Sequence, residues 1–226
     1  MHYKTLHPWR VSPKEAVQIQ KRLAGNIRTD TKNIKPKAIA GIDVSFKENT
    51  SCAAICIFKI PGLKLIEEKT KIAPVTFPYI STLFTFREGP PVLGCLKKIK
   101  TVPDVIIFDG QGIAHPRRMG LATHMGLWLN IPTIGCAKTL LYGKFTHPSD
   151  TKGSYTLLKD KNATIGAVVR TKDKTKPLFI SAGHLINLRN AIEITLQVCT
   201  KYRLPEPIRA AHTLSKATLL KELRKG

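Results

Sequence analysis

Apolar Ala16, Ile19, Leu23 and Ile27 recur at helical spacing behind Ser12-Pro13-Lys14-Glu15, an S-x-x-E capping box with proline in its first turn. The pattern predicts a helix over 13–27. Residues 38–46 and 51–59 have strand character and flank Lys47-Glu48-Asn49-Thr50, which predicts a hairpin. Residues 63–75, broken by Pro74, read as a third strand. Residues 76–91 contain Pro78, Gly89, Pro90 and Pro91 and read as an irregular loop before a helix at 92–99. The unbroken apolar run Val105-Ile106-Ile107-Phe108 has the character of a strand buried on both faces, and 133–137 is similar. Further strands are expected at 155–158, 164–170 and 179–182. Helices are expected at 117–130, at 188–200 and from 205–207 onward. A hairpin followed by strand–helix alternation predicts an α/β fold, a mixed sheet with helices on both faces. No repeat, low-complexity tract or linker interrupts the chain, so one domain over 1–226 is expected.

Charge changes the picture. The 226 residues carry 37 Lys and Arg against 15 Asp and Glu, a net +22 spread along a chain that is 42% hydrophobic. That is a basic folded surface, neither a basic tail nor a disordered polyelectrolyte. A surface of this sign favours nucleic acid, whose phosphates release counterions on binding. The apolar runs fall short of the ~18 residues of a membrane span, and the first ten residues lack a secretory apolar stretch, so no membrane is expected as partner. Cys52, Cys56, Cys95, Cys136 and Cys199 form no C-x-x-C pair and sit among apolar or small residues. Buried free thiols in a reducing, cytoplasmic setting account for them better than zinc does.

Three acids stand apart. Asp43 lies mid-strand, with Gly41 and Ser45 on its own face and Ile42, Val44 and Phe46 on the other. Asp109 follows the apolar strand and opens Asp109-Gly110-Gln111-Gly112, at a strand end where ligands of α/β sheets gather. Glu88 sits in the apolar string Phe84-Thr85-Phe86-Arg87-Glu88-Gly89-Pro90, with Arg87 as a local partner. Each has a plainer reading: an edge-strand acid, a turn former, a structural ion pair. Together they suit a hard cation, Mg²⁺ or Mn²⁺, and so metal-assisted phosphodiester hydrolysis. Lys138 follows the strand at 133–137 and would project into the same crevice, although one lysine of so basic a chain can equally be a surface charge. No P-loop is present.

Several strings resemble the endonuclease V family: Gly41-Ile42-Asp43-Val44-Ser45, Pro78-Tyr79-Ile80, Phe86-Arg87-Glu88-Gly89-Pro90, and Asp109-Gly110-Gln111-Gly112-Ile113-Ala114-His115-Pro116-Arg117-Arg118. Gly135-Cys136-Ala137-Lys138, Ser181-Ala182-Gly183-His184 and Leu204-Pro205-Glu206-Pro207 follow in the family's order. The resemblance implies a ribonuclease-H-like mixed sheet. It implies Mg²⁺-dependent hydrolysis, with Mn²⁺ substituting, of the second phosphodiester bond 3′ to an inosine. The products would carry 3′-hydroxyl and 5′-phosphate ends, the role would be DNA repair, and no obligate protein partner is implied. The family's metal carboxylates fall on Asp43, Glu88 and Asp109, its catalytic lysine on Lys138, and a further acid-or-histidine position on His212. Nucleic-acid and base recognition is expected of Tyr79, Ile80, Gly110, Gly112 and His115, with Tyr79 as a wedge in the vacated stack and His115 touching the strand or orienting Asp109. Ser81 replaces the second proline of the wedge motif, Gln111 a histidine, and Thr82 a common glycine. Two other readings stay open: a basic nucleic-acid-binding module on the same fold, and a nuclease acting mainly on inosine in RNA.

Overall fold

The computed structural model describes residues 3–31 and 33–224. In chain order the elements are α1 (Pro13–Ala24), β1 (Ala38–Lys47), β2 (Thr50–Lys59), β3 (Lys64–Pro74), α2 (Phe84–Leu96), β4 (Val105–Phe108), α3 (Leu121–Leu129), β5 (Thr133–Ala137), β6 (Tyr155–Asp160), β7 (Ala163–Val169), β8 (Leu178–His184), α4 (Leu188–Gln197) and α5 (Glu206–Leu223). One eight-stranded sheet runs in the order β3-β2-β1-β4-β5-β8-β7-β6. Neighbours β1, β4 and β5 are parallel, and every other pair is antiparallel.

Alternation along the central strands splits the core in two. Ile39, Val105, Ile107, Ile134 and Cys136 face α4 and the start of α5. Ala40, Ile42, Ile55, Ile106 and Phe108 face α2 and α3. Outside that second layer, α1 packs Ala16, Ile19 and Leu23 on Phe77, Phe86 and Met119. Its capping box forms as expected, with both the Ser12 side chain and the Glu15 side chain bonding back. Among the described residues no helix is long and apolar enough to cross a membrane. All five cysteines are free and buried.

The largest departure from the sequence pattern is at 84–91, which is helix rather than loop, with Pro90 and Pro91 inside α2. Each proline removes one helical hydrogen bond. Packing outweighs that loss: Phe86, Val92 and Leu96 are fully buried, and the Trp9 ring occupies the space a Cβ on Gly89 would need. In the other direction, α3 begins only at Leu121. Arg118 turns left-handed at φ 58°, and Gly120 forms the N-cap, so 117–120 is loop.

Candidate active site

The parallel trio β1, β4 and β5 sets the site. Ile42 pairs with Phe108 and Phe108 with Gly135, so the middle of β1 lies level with the ends of β4 and β5. Asp43 on β1, Asp109 just past β4 and Lys138 just past β5 therefore converge at one edge of the sheet. Asp109 and Lys138 form a direct ion pair. Burial raises the Asp109 carboxyl above its ordinary range, Lys138 opposes that, and the neighbouring Asp43 adds to it.

Helix α5 supplies the second wall. Pro207 and Ile208 lie so close to β1 that a Cβ on Gly41 would sit 2.1 Å from the Pro207 carbonyl carbon. That approach brings Ser215 Oγ to 2.7 Å and His212 Nδ1 to 3.3 Å from Asp43 Oδ2. Ser45 Oγ is 2.7 Å from Ser215 Oγ. Ser215 has a single proton, and the charged carboxylate is its strongest acceptor, so Ser45 donates to Ser215 and Ser215 to Asp43. Among the three acids Glu88 comes from the far side, on α2. Burial and then the facing charges of Asp43 and Asp109 raise its carboxyl well above the usual range. Arg87 does not form an ion pair with it: the guanidinium lies 4.6 Å over the Phe46 ring and donates to the Phe77 carbonyl at 2.7 Å.

Three partly desolvated carboxylates whose charges oppose one another match the donor chemistry of a hard divalent cation. Among the described residues, however, no three His, Cys, Asp or Glu groups stand together as a ready coordination shell. Asp109 is turned to Lys138 and Asp43 to Ser215.

Beside the acids lies a cavity of about 480 Å³ lined by Tyr79, Thr82, Phe84, Asp109, Gly110, Gln111, His115 and Lys138 among others. Tyr79 is 71% exposed, with its ring 5.2 Å from Phe84. Gln111 is buried; its amide nitrogen donates to Thr139 O at 3.1 Å, and its Oε1 has no partner. Gly110 belongs to this lining, whereas Gly112 does not. The Gly112 N–H donates to Ser181 Oγ at 2.8 Å and its carbonyl accepts from Gly120 at 3.0 Å. Ile80 packs against the cluster beneath α1 instead of facing the cavity.

His115 has both ring nitrogens engaged within the protein. Nδ1 accepts from the Arg117 N–H at 3.1 Å, so Nε2 carries the proton and donates to Thr82 O at 2.9 Å. Burial pulls its pKa down to about 4. The same carbonyl accepts from Gln20 Nε2 at 3.0 Å and Arg117 Nη2 at 3.1 Å, and Arg117 Nε donates to Gln20 Oε1 at 2.6 Å. This clamp fixes the base of the loop that carries Tyr79. His184 likewise serves a loop, its Nδ1 accepting from Arg28 N at 3.3 Å.

Sequence reasoning missed Gln20 and Ser215. Both carried a signal: each is a polar residue at a buried helical position, Gln20 between Ile19 and Leu23, Ser215 in register with Ala211 and Leu219.

A family model described as Endonuclease V matches residues 21–213. Endonuclease V of Methanothrix thermoacetophila is 46% identical over 215 residues, spanning 95% of this chain and 96% of its own. The crystal structure of the Bacillus subtilis endonuclease V superposes with a TM-score of 0.95 at 29% identity, over 100% of both chains. Endonuclease V of Ciona intestinalis, solved with a 24mer DNA containing an inosine followed by a ribo-adenosine, matches with a TM-score of 0.81 at 30% identity, over 92% of this chain and 98% of that one. The fold is ribonuclease-H-like, as the resemblance implied.

Proposed function

Because the chain belongs to the endonuclease V family, we propose that it is a divalent-metal-dependent nuclease directed to inosine. It would hydrolyse the second phosphodiester bond 3′ to the modified base and leave 3′-hydroxyl and 5′-phosphate ends, in cytoplasmic DNA repair. The observation that carries the reading is that Asp43, in the middle of β1, is brought level with Asp109 and Lys138 just past the ends of the parallel neighbours β4 and β5, with Glu88 facing them. The Ciona relative bound to inosine-containing DNA supports the substrate class.

Asp43, Glu88 and Asp109 are the residues that would hold the metal, Mg²⁺ or in its place Mn²⁺. A divalent cation there supplies Lewis acidity toward the phosphoryl oxygen and a water of lowered pKa. Ser215 holds the Asp43 carboxylate in one orientation, and His212 lies beside it as a partner near the metal. The Lys138 ammonium balances Asp109 and offers positive charge to the phosphate as negative charge develops on it. The cavity beside the acids takes the extruded base, with Gly110 backbone at its wall and Tyr79 at its rim for the vacated stack. The His115 bonds to Thr82 and Arg117 set that rim, so His115 acts by positioning.

End-labelled DNA and RNA, each with a single inosine, incubated with Mg²⁺ or with chelator, test the reading. Cleavage one nucleotide beyond the inosine's 3′ neighbour bond, in Mg²⁺ only, is expected. Equal cutting of adenine controls, or cutting in chelator, would overturn it, and the DNA and RNA arms identify the preferred strand.

A further inference from the structure

A second concavity adjoins the active-site cavity beyond Lys138. Leu140 and Leu141, on the wall of the active-site cavity, also line this second concavity of about 530 Å³, which extends to Tyr142, Lys144, Lys159 and Lys161. Its far side is built rigidly. Lys144 N donates to Lys159 O at 2.8 Å and Lys159 N to Lys144 O at 2.9 Å, an antiparallel bridge on the outer edge of β6. Two lysines paired across such a bridge repel each other. Lys161 adds a third ammonium at the β6–β7 turn, where its backbone is left-handed at φ 52°.

The acid of this groove offers them little relief. Asp160 takes Arg118 Nη2 at 2.5 Å on one oxygen and the Tyr142 hydroxyl at 3.1 Å on the other. All three lysines are exposed. The groove is thus lined by three lysines with its carboxylate already hydrogen-bonded elsewhere, and it borders the active-site cavity at Leu140 and Leu141.

We propose that this groove carries one nucleic-acid strand away from the scissile bond, its successive phosphates held by Lys144, Lys159 and Lys161. Separate cations in a groove that borders the reacting centre fit a polyanion that passes through that centre, whereas a compact anion needs cations converging on one point. The inference rests on reading the carboxylate site as a nuclease.

The test compares wild type with the triple variant Lys144→Ala, Lys159→Ala, Lys161→Ala. Binding to single strands, with and without inosine, is measured by fluorescence anisotropy without divalent metal between 50 and 200 mM salt, values chosen to span the counterion-release regime. Three lost phosphate contacts on a single strand lower the log–log salt slope by about 2 and low-salt affinity by roughly tenfold. Trimming one flank of the substrate should cost wild type a similar factor in kcat/KM and the variant almost nothing. An unchanged slope, or a flank penalty that persists in the variant, overturns the groove. Lys159→Ala alone, with a slope change of about 0.7, answers the same question should the triple variant unfold. If wild type binds strands but does not cut at inosine, the functional reading falls, and the slope still decides the groove.

Discussion

Gly41→Ala is the sharpest perturbation of this site, because it touches none of the acids. The new methyl would lie 2.1 Å from the Pro207 carbonyl carbon, 2.3 Å from its oxygen and 2.5 Å from Ile208 N, all backbone atoms that cannot swing aside. To restore van der Waals contact, α5 must retreat from β1 by more than about 1 Å. The 2.7 Å Ser215–Asp43 hydrogen bond does not survive such a shift. Overpacking costs about 1–3 kcal/mol, and the lost bond to a charged group about 1.5–3 more. Urea unfolding should therefore show a loss of roughly 2.5–6 kcal/mol. A misplacement of this size costs on the order of a hundredfold in turnover. Single-turnover cleavage across an Mg²⁺ titration, run beside Ser215→Ala, separates the two contributions: the serine variant keeps the helix seated and loses only the hydroxyl. A Gly41→Ala protein within about 0.5 kcal/mol of wild-type stability and with unaltered turnover would refute the view that this close approach orients Asp43.

Asp109→Ala should abolish cleavage while strand binding, followed by anisotropy, stays within a few-fold, because the basic surface supplies most of the affinity; near-normal turnover in Mg²⁺ would remove Asp109 from the metal site. Tyr79→Ala should lose about 1–3 kcal/mol of affinity on inosine duplexes and less on single strands, where no stack has to be refilled; equal losses would end its role as a wedge. Two buried histidines should weaken the fold on acidification. His115 and His184 are both held neutral by burial, each with a pKa pulled down to about 4. Between the unfolded value near ~6.5 and about 4 the unfolded chain binds protons that the fold refuses, at a cost on the order of 3 kcal/mol per buried histidine at the lower end. Above that window neither contributes. The raised carboxyls of Glu88 and Asp109 take up protons in the fold and act in the opposite sense, so the histidine share is read by difference. A His184→Asn protein whose stability changes between about pH 7 and about 4.5 just as the wild type's does would contradict this assignment.

Strand positions were readable wherever periodicity and burial coincide. The β1–β2 hairpin, the apolar β4 and the capped α1 all stand where their patterns put them. Alternation also placed Asp43 and Ser45 on one face of β1, the face that α5 covers. Local rules failed where tertiary packing overrode propensity, as in α2, whose two prolines argue for a loop until Trp9, Phe86 and Leu96 are packed around them. The ion pair of Asp109 with Lys138 depends on strand order, which no local pattern contains. Nor does local pattern reveal that His115 clamps Thr82, since its partners Gln20 and Arg117 are 97 residues apart. Helical register marks Ser215 as buried, but its partner Asp43 depends on the close approach of α5 that Gly41 allows.

The sheet has two terminal strands, and the protein treats them differently. Lys144 pairs with the outer side of β6, while β3 lies at the opposite end with Leu65 and Ile66 exposed. Left bare, such an edge would invite a second molecule to add its own strand and begin a fibre-like stack. Along β3, however, Lys64, Glu67 and Glu68 flank those two apolar residues in sequence, and Lys69 and Lys71 extend the charged run. A docking strand would have to strip water from this mixed row of charges, and each approaching molecule also carries a net +22. At low ionic strength that repulsion keeps molecules apart at high concentration. Salt shortens its reach to about 8 Å at physiological strength, which leaves the local charges along β3 to keep a second strand off that edge.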